Sequence, residues 1–298
     1  MKVPQPFHQL AQSLLHGPRY FGSPVFPWRT LFLMRYLKWQ RQAHHGPRVS
    51  LDRPEKLCVI LLAWKRPYNM EPIVRALLRA DFIDRILVSN NNPGQRISEW
   101  ISVRDDRLRL VDQPRPQAPG LRFELARNEP GRYFMSIDDD VFLTPQQVKQ
   151  LFVELLRRPQ APHGLQGECF VGDAPGGRRP GVVIEGWQLA LRGREEQVDA
   201  INTVYTFTRD HIEALYRRAE RLGIDVAEMS NGEDILLSAS GTERPWIHAV
   251  GSITECISST QSGVATWRTR ANFFQERTQL FHALGSATPP TRAAQENT

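Results

Sequence analysis

The chain has 298 residues, of which 41% are hydrophobic and 23% are charged, and its formal net charge at pH 7 is +6. This composition is that of a globular protein and excludes fibrous, collagenous and wholly disordered chains. The positive charge suits an anionic ligand, but the sequence lacks the dense basic stripes of a dedicated nucleic-acid-binding protein, so we expect no nucleic acid partner. The three cysteines lie far apart without a CxxC motif, which favours a reducing compartment.

Residues 1–55 are predicted to form an N-terminal extension with one helix over Phe26–Gln40, an apolar stretch interrupted by Arg29, Arg35 and Lys38. The favoured interpretation is a helix packed on the domain or in a homodimer contact. The alternative is an amphipathic helix in which residues 26–40 lie on a membrane surface. Because no apolar run is long enough for a membrane span and the start lacks a secretory signal, we expect a cytoplasmic protein, soluble or peripheral at a membrane. A luminal location follows if the chain is a fragment of a longer anchored protein.

Residues 56–284 alternate strand and helix patterns and are predicted to form a single α/β domain, followed by a flexible tail over 285–298. The predicted strands are Leu57–Ala63, Arg85–Ser89, Leu108–Val111 and Tyr133–Ile137. Asn69 is predicted to cap the helix between the first two strands. A strand, a helix and a strand within about 30 residues form a βαβ unit, so the sheet is expected to be mostly parallel.

Helix signals also follow the fourth strand. Thr144, Pro145 and Gln147 supply an N-cap, a first-turn proline and a capping-box partner. Further signals predict a capping box of Asp210 and Glu213, a helix end at Gly223, and one last helix over Thr266–Leu284. The Gly-rich segment Gly172–Gly181 is predicted to be an exposed loop, with a lid over a ligand as the less favoured alternative.

Three consecutive carboxylates, Asp138, Asp139 and Asp140, come directly after the apolar fourth strand. Like charges this close repel each other, so the cluster needs a reason. Strand alternation places Asp138 and Asp140 on one side and Asp139 on the other, and two carboxylates on one side suit Mg²⁺ or Mn²⁺. The alternative is a solvated acidic turn before a capped helix. We favour the metal site, because ligands of α/β sheets bind beyond the carboxyl ends of strands.

A second acidic pair, Glu233 and Asp234, follows Asn231, which is predicted to cap a helix with Asp234 completing the capping box. The alternative, that a carboxylate here faces a ligand cleft, is compatible with the cap. His248 in an apolar run is interpreted as structural rather than as a further metal ligand. Trp187 and Trp267 are as well explained by core packing as by stacking on a sugar ring.

Together these motifs resemble those of GT-A nucleotide-sugar glycosyltransferases, and most closely the exostosin-like (heparan sulphate type) α-N-acetylhexosaminyltransferases. The similar segments, in chain order, are Cys58–Pro67, Ile86–Asn92, Leu121–Phe123, Tyr133–Asp140, Val204–His211 and Asn231–Leu237. One departure is Gly232, since the family usually has Cys between the Asn and the Glu of its Glu-Asp motif. The resemblance implies a GT-A fold with a nucleotide-binding sheet flanked by helices.

The resemblance also implies a role for each site residue. Asp140 would bind the metal directly, Asp138 would contact the metal shell, the ribose or the sugar, and Asp139 would lie in the same neighbourhood. The residues expected to contact the base, ribose or diphosphate are Arg66, Asn91 and Arg122. Glu233 and Asp234 would lie near the acceptor hydroxyl or the reacting sugar. Arg268 or Arg270 would hold the departing diphosphate.

The activity so implied is transfer of a sugar, such as an N-acetylhexosamine or related hexose, from a UDP-sugar to a glycan or lipid-linked glycan acceptor. The resemblance implies Mn²⁺ or Mg²⁺ as cofactor and retention at the anomeric carbon. Two alternatives stay open: an inverting transferase with Asp234 as general base, and a non-catalytic protein that binds nucleotides or carbohydrates. A nucleotidyltransferase is disfavoured, because residues 63–67 replace the Gly-rich loop of such enzymes.

Overall fold

The computed structural model describes residues 26–170, 182–185, 195–260 and 265–286, which form a central mixed sheet flanked by helices. The strands are β1 (Leu57–Ala63), β2 (Ile83–Asn90), β3 (Leu108–Asp112), β4 (Tyr133–Asp138), β5 (Val141–Phe142), β6 (His163–Cys169), β7 (Val182–Glu185), β8 (Glu195–Gln197), β9 (Ala200–Thr208), β10 (Trp246–His248) and β11 (Thr254–Glu255). The main sheet has the order β3-β2-β1-β4-β9-β6-β10-β8, with β7 paired to β6, and β5 pairs with β11 in a separate ribbon.

The helices lie between these strands in the chain. They are α1 (Phe26–His45), α2 (Met70–Leu77), α3 (Leu121–Asn128), α4 (Pro145–Arg157), α5 (Arg209–Arg221), α6 (Glu233–Ser238), α7 (Thr266–Thr269) and α8 (Phe273–Ser286). Short 3-10 turns cover Pro67–Asn69, Ile97–Glu99 and Ile257–Thr260.

The predicted α/β class and the four predicted strands are confirmed. Strands β1 to β4 form the parallel half of the sheet, and β9 introduces the antiparallel pairs of the other half. Every residue of β1 is buried. Alternate β1 side chains enter two different hydrophobic clusters, one on each face of the sheet. This two-sided burial explains why the first strand is a continuous apolar run.

Helix α1 packs on one face of the sheet, as favoured from the sequence. Its side chains Phe32, Tyr36 and Trp39 are buried against Phe142, with ring centroids 5.0 to 6.4 Å apart. Helix α1 therefore shares a core with the domain, although the domain boundaries themselves stay predictions. No helix of the described ranges is long and apolar enough to cross a bilayer.

The helix ends agree with the sequence only in part. The capping box of Thr144 and Gln147 and the left-handed Gly223 after α5 are confirmed. The predicted box of Asp210 and Glu213 is wrong, because Thr208 caps α5 with His211 as its partner.

Two further helix predictions are correct only in part. Asn69 is the N-cap residue of α2, as predicted, but its side chain makes no capping bond, since its amide donates to the carbonyl of Asp139. The predicted last helix is two helices, because the backbone of Arg270 is extended between α7 and α8.

Candidate functional site

The acidic residues singled out in the sequence meet at one edge of the sheet. In the β1–β4 ladder Leu62 pairs with Asp138, and in the β1–β2 ladder Ala63 pairs with Asn90, so the carboxyl ends of these parallel strands coincide. Strand β6 runs in the same direction, because it is antiparallel to β9, which is antiparallel to β4. Glu168, near the end of β6, therefore lies at this edge as well.

Asp139 ties the loop after β1 to the end of β4. One of its carboxylate oxygens accepts the backbone N–H of Trp64 at 3.0 Å, and the other lies 2.5 Å from Nη1 of Arg66. The Arg66 guanidinium also donates to the side chain and carbonyl of Ser258, at 2.8 and 3.0 Å. Both Asp139 and Arg66 are buried, so they hold two loops together.

Asp140 shares Arg66 with Asp139, since its Oδ2 lies 3.1 Å from Nη2 of Arg66. Burial raises the pKa of Asp140 to about 7 against the opposing charge of Arg66, and Asp139 and Asp138 add to the rise. The predicted alternation of the three carboxylates is wrong beyond Asp138. Because β4 ends at Asp138 and the next two residues form a turn, Asp139 and Asp140 reach the same arginine.

Asp138 is held by a different arginine. Its Oδ1 accepts from Nη2 of Arg122 at 3.0 Å, and its side chain is about one third exposed. Burial of the carboxyl raises the pKa of Asp138 despite the charge of Arg122. Arg122 itself is buried and donates to Pro119, Ser136 and Tyr205 at 3.1, 3.0 and 2.7 Å. These bonds fix the guanidinium between α3 and the sheet.

The Glu-Asp motif begins α6, but the predicted cap is wrong. The N-cap residue is Gly232, which has a left-handed φ of 82°, and the side chain of Asn231 donates instead to Phe273 and Glu276 of α8. A Cβ on Gly232 would lie 2.7 Å from a methyl carbon of Leu280. Conformation and space therefore both favour glycine where the exostosin-like family usually has cysteine.

Glu233 and Asp234 have opposite environments although they are adjacent. Asp234 is gripped by Arg277 through two bonds, Nη1 to Oδ1 at 2.8 Å and Nη2 to Oδ2 at 3.0 Å. Among the described residues, the cation nearest to Glu233 is Arg122, whose Nη2 lies 4.0 Å from Oε1. Burial and the neighbouring Asp234 raise the pKa of Glu233 to about 7. A carboxyl whose pKa lies near 7 can exchange a proton at neutral pH.

Arg277 links α8 to the sheet as well as to α6. Its Nε and Nη2 donate to Oε2 of Glu168, at 3.3 and 3.1 Å, so one guanidinium joins the end of β6 to the start of α6. Only 4% of the arginine is exposed. An arginine this deeply buried requires its carboxylate partners, because an unpaired buried charge is costly.

The three other predicted contact residues have partners outside this cluster. Asn91 is buried, and its backbone N–H donates to Ala63 at 2.8 Å while its Oδ1 accepts from Ser89 at 2.8 Å. Arg268 is exposed with its guanidinium over the ring of Trp267. Arg270 forms an ion pair with Glu276 at 2.7 Å and contacts the hydroxyl of Ser230. Of the arginines near α8, the one that reaches Asp234 is therefore Arg277.

His248 lies in a separate cluster. Its Nε2 is 2.8 Å from Nδ1 of His163, and burial lowers the pKa of His248 to about 3. Together with Glu154 and Glu195 it forms the one group of three potential metal ligands found in the described ranges. Nη2 of Arg157 already lies 2.7 and 2.8 Å from those two glutamates. Trp187 and the loop Gly172–Gly181 lie outside the described residues.

Sequence reasoning missed Arg277 and Glu168. On α8, Arg277 falls in line with Phe273, Leu280 and Leu284, at the spacing of one helix face. A charged residue that interrupts an apolar stripe was the available signal. Glu168 offered none, because its importance depends on the order of strands in the sheet.

Comparisons with known proteins do not assign the chain to a family. No family model matches the sequence, and no curated protein is similar to it. Among solved structures, the fold is similar to the crystal structure of GalNAc-T7 with UDP, GalNAc and Mn²⁺. The TM-score is 0.47 and the sequence identity 10%, over 66% of this chain and 42% of that one. The chain thus spans less than half of that protein, and a likeness this remote assigns neither an activity nor the exostosin-like family.

Proposed function

We propose that this protein is a metal-dependent glycosyltransferase of the GT-A type that uses a UDP-sugar as donor. The observation that carries the proposal is the imbalance of charge at the carboxyl edge of the sheet. Six carboxylates meet three guanidinium groups there, which leaves an excess of three negative charges when all are ionised. The six carboxylates belong to Asp138, Asp139, Asp140, Glu168, Glu233 and Asp234. A buried excess of negative charge suits a bound cation.

The donor atoms fit Mn²⁺ or Mg²⁺. Asp138 and Asp140 each give one oxygen to an arginine, and their second oxygens, Oδ2 of Asp138 and Oδ1 of Asp140, make no hydrogen bond to a described residue. Carboxylate oxygens are the ligands that these hard cations prefer, with water and substrate phosphates completing the shell. A cation held there would neutralise charge that builds on the departing diphosphate.

The arginines and Asn91 support the site from behind. Because Arg66 and Arg122 are buried and satisfied by protein groups, we infer that they orient Asp140 and Asp138 rather than gripping phosphate. The same holds for Asn91, whose bonds fix the end of β2 beside β1. This inference differs from the direct nucleotide contacts expected from the sequence, which stay a prediction.

Glu233 is the residue that we infer to move a proton. A general acid or base works best when its pKa lies near the working pH, and Glu233 meets that condition. In an inverting transfer it would accept the proton of the acceptor hydroxyl while Asp234, fixed by Arg277, holds the start of α6 in place. Retention, which the exostosin-like resemblance implies, would instead leave Glu233 to position the acceptor.

Titration of UDP by calorimetry tests the proposal. We expect UDP to bind in the presence of Mn²⁺ or Mg²⁺ and to lose affinity at least tenfold in EDTA and in Asp140→Ala. The matched control is Asp106→Ala. It removes an exposed aspartate that is distant in sequence from the acidic site, and it should bind UDP like the wild type. Hydrolysis of UDP-N-acetylhexosamines and UDP-hexoses then identifies the donor.

Two results would change the assignment. Absence of UDP binding under all metal conditions would rule out the UDP-sugar site. Metal-dependent UDP binding without turnover of any UDP-sugar, with or without a glycan acceptor, would favour the non-catalytic nucleotide-binding alternative.

A further inference from the structure

The outer face of α1 carries large apolar side chains in solvent. Leu31, Met34 and Leu37 are 36%, 64% and 50% exposed, whereas the opposite face of the helix is buried on the sheet. Helix α1 therefore has apolar residues on both sides. The inner set is explained by the core, and the outer set is not.

The charged residues on this outer face are basic. Arg35, Lys38 and Arg41 are exposed, and α1 contains no aspartate or glutamate. The positions 34, 38, 41 and 45 follow the spacing of one helix face, so Met34, Lys38 and Arg41 form a line that leads to His45. An apolar strip whose charged neighbours are all basic fits a surface with an apolar interior and a negatively charged outer layer.

A basic cavity continues this line beyond the end of α1. The cavity has a volume of about 390 Å³. Its basic lining residues are His44, His45, Arg48, Arg75, Arg79 and Arg107. Three of these arginines already have carboxylate partners: Arg48 pairs with Asp81 at 2.8 Å, Arg75 with Glu71 at 2.5 Å, and Arg107 with Asp105 of the lining at 3.0 Å. Among the described residues, Arg79 is the lining arginine without a carboxylate partner. Nε of Arg79 is buried and makes no hydrogen bond to the described residues.

We propose that the outer face of α1 and the adjoining basic cavity form a docking surface for a membrane leaflet containing anionic phospholipids. Leu31, Met34 and Leu37 would enter the boundary between head groups and acyl chains, while Lys38 and Arg41 would lie at the phosphates. The cavity is large enough to accept the phosphate of one lipid head group. This binding requires no glycosyl transfer, so it can be tested separately from the proposed function.

A second copy of the chain fits the surface less well. In a symmetric dimer built on this face, Arg35, Lys38 and Arg41 of one copy would meet the same residues of the other. Like charges placed opposite each other oppose association. Charge complementarity therefore favours the anionic leaflet as the occupant.

Co-sedimentation of the full chain with vesicles tests the proposal. We expect binding to phosphatidylcholine vesicles that contain phosphatidylglycerol, weak binding to phosphatidylcholine alone, and a loss of binding as salt concentration rises. Lys38→Gln/Arg41→Gln should weaken partitioning about tenfold or more, because each basic residue near the surface adds to the attraction. Met34→Ser/Leu37→Ser should weaken it several-fold.

The matched control is Arg217→Gln/Arg221→Gln, which removes two exposed arginines from α5 and should bind vesicles like the wild type. An unchanged far-UV circular dichroism spectrum and an unchanged melting temperature would show that each variant is folded. The proposal is overturned if the wild type does not sediment with anionic vesicles, or if the α1 and control variants bind equally. It is also overturned if Met34→Ser/Leu37→Ser abolishes a dimer seen by analytical ultracentrifugation while vesicle binding persists.

Discussion

The two halves of the acidic site are neutralised to different degrees. In the first half, Arg277 satisfies both Asp234 and Glu168 and is almost fully buried. In the second half, Asp138, Asp140 and Glu233 have one arginine contact each, at 3.0, 3.1 and 4.0 Å, and the pKa of all three is raised, chiefly by burial. The closed half, formed by Arg277, Asp234 and Glu168, therefore serves the fold, whereas the under-neutralised half is where we propose that a cation binds and a proton is exchanged.

The largest effect is expected from breaking the closed half. Arg277→Leu would leave Asp234 and Glu168 buried without a counter-charge, and we expect it to lower the free energy of unfolding by about 3–5 kcal/mol. Urea denaturation measures this loss. Arg268→Leu, at an exposed arginine on α7, is the matched control and should change stability little. A loss for Arg277→Leu as small as that of the control would show that the closed half is not structural.

The under-neutralised half is tested at Glu233, the residue that we infer to exchange a proton. Glu233→Gln should lower kcat for transfer from the UDP-sugar by about 100-fold or more, because general acid–base catalysis contributes on that scale. The affinity for UDP and Mn²⁺ should stay near that of the wild type. The exposed Glu243→Gln is the control and should keep full turnover. Equal rates for the two variants would remove Glu233 from the proposed mechanism.

A smaller effect concerns stability and pH in the absence of metal. The ordinary pKa of Asp140 is 3.8 and its folded value is about 7, so the folded chain binds more protons between these values. The stability linked to this carboxyl is therefore present below about pH 4 and is lost as the pH rises through 7. Asp140→Asn does not titrate, so it should be more stable than the wild type at pH 8 by about 1–4 kcal/mol.

Chemical denaturation of both proteins in EDTA at pH 5 and pH 8 measures this difference, which should shrink at the lower pH. Burial also lowers the pKa of His163 and His211 to about 4 each, but these histidines titrate in both proteins and cancel in the difference. A pH-independent difference would mean that Asp140 is ionised throughout. Added Mn²⁺ should reverse the order by stabilising the wild type alone.

The smallest effect is expected at Tyr205, which lies behind the under-neutralised half. Its uncharged hydroxyl accepts a hydrogen bond from Arg122 at 2.7 Å. Tyr205→Phe should cost about 1 kcal/mol of unfolding free energy. Tyr133→Phe is the matched control, since the hydroxyl of Tyr133 makes no hydrogen bond to a described residue. A loss of unfolding free energy above about 3 kcal/mol would mean that Arg122, like Arg277, mainly stabilises the fold.

Sequence reasoning succeeded where the signal is local. The apolar strand β1, the acidic turn after β4 and the capping box of Thr144 all depend on residues within one turn or strand. It failed where side chains serve distant elements. Asn69 and Asn231 are of a residue type that favours helix caps, but their side-chain amides donate hydrogen bonds to Asp139 and to α8.

The position of the buried arginine shows the same limit. Arg268 and Arg270 lie near the expected place in the chain, yet the helix break at Arg270 turns α8 so that Arg277 reaches Asp234. The distance between those partners is 43 residues in sequence, and no local periodicity connects them. Tertiary packing therefore decides which residues belong to the site, and a single sequence does not reveal that packing.

The position of Arg277 on α8 also bears on the order of assembly. The ribosome makes the chain from its N-terminus, so α8 is the last of the described helices to emerge. Until α8 has been made and has docked, Glu168 and Asp234 would be two carboxylates facing each other without a counter-ion. The sheet edge can form early, but the start of α6 would stay unsettled. A nascent chain would thus complete its acidic site in one late step, when the last described helix arrives with its arginine.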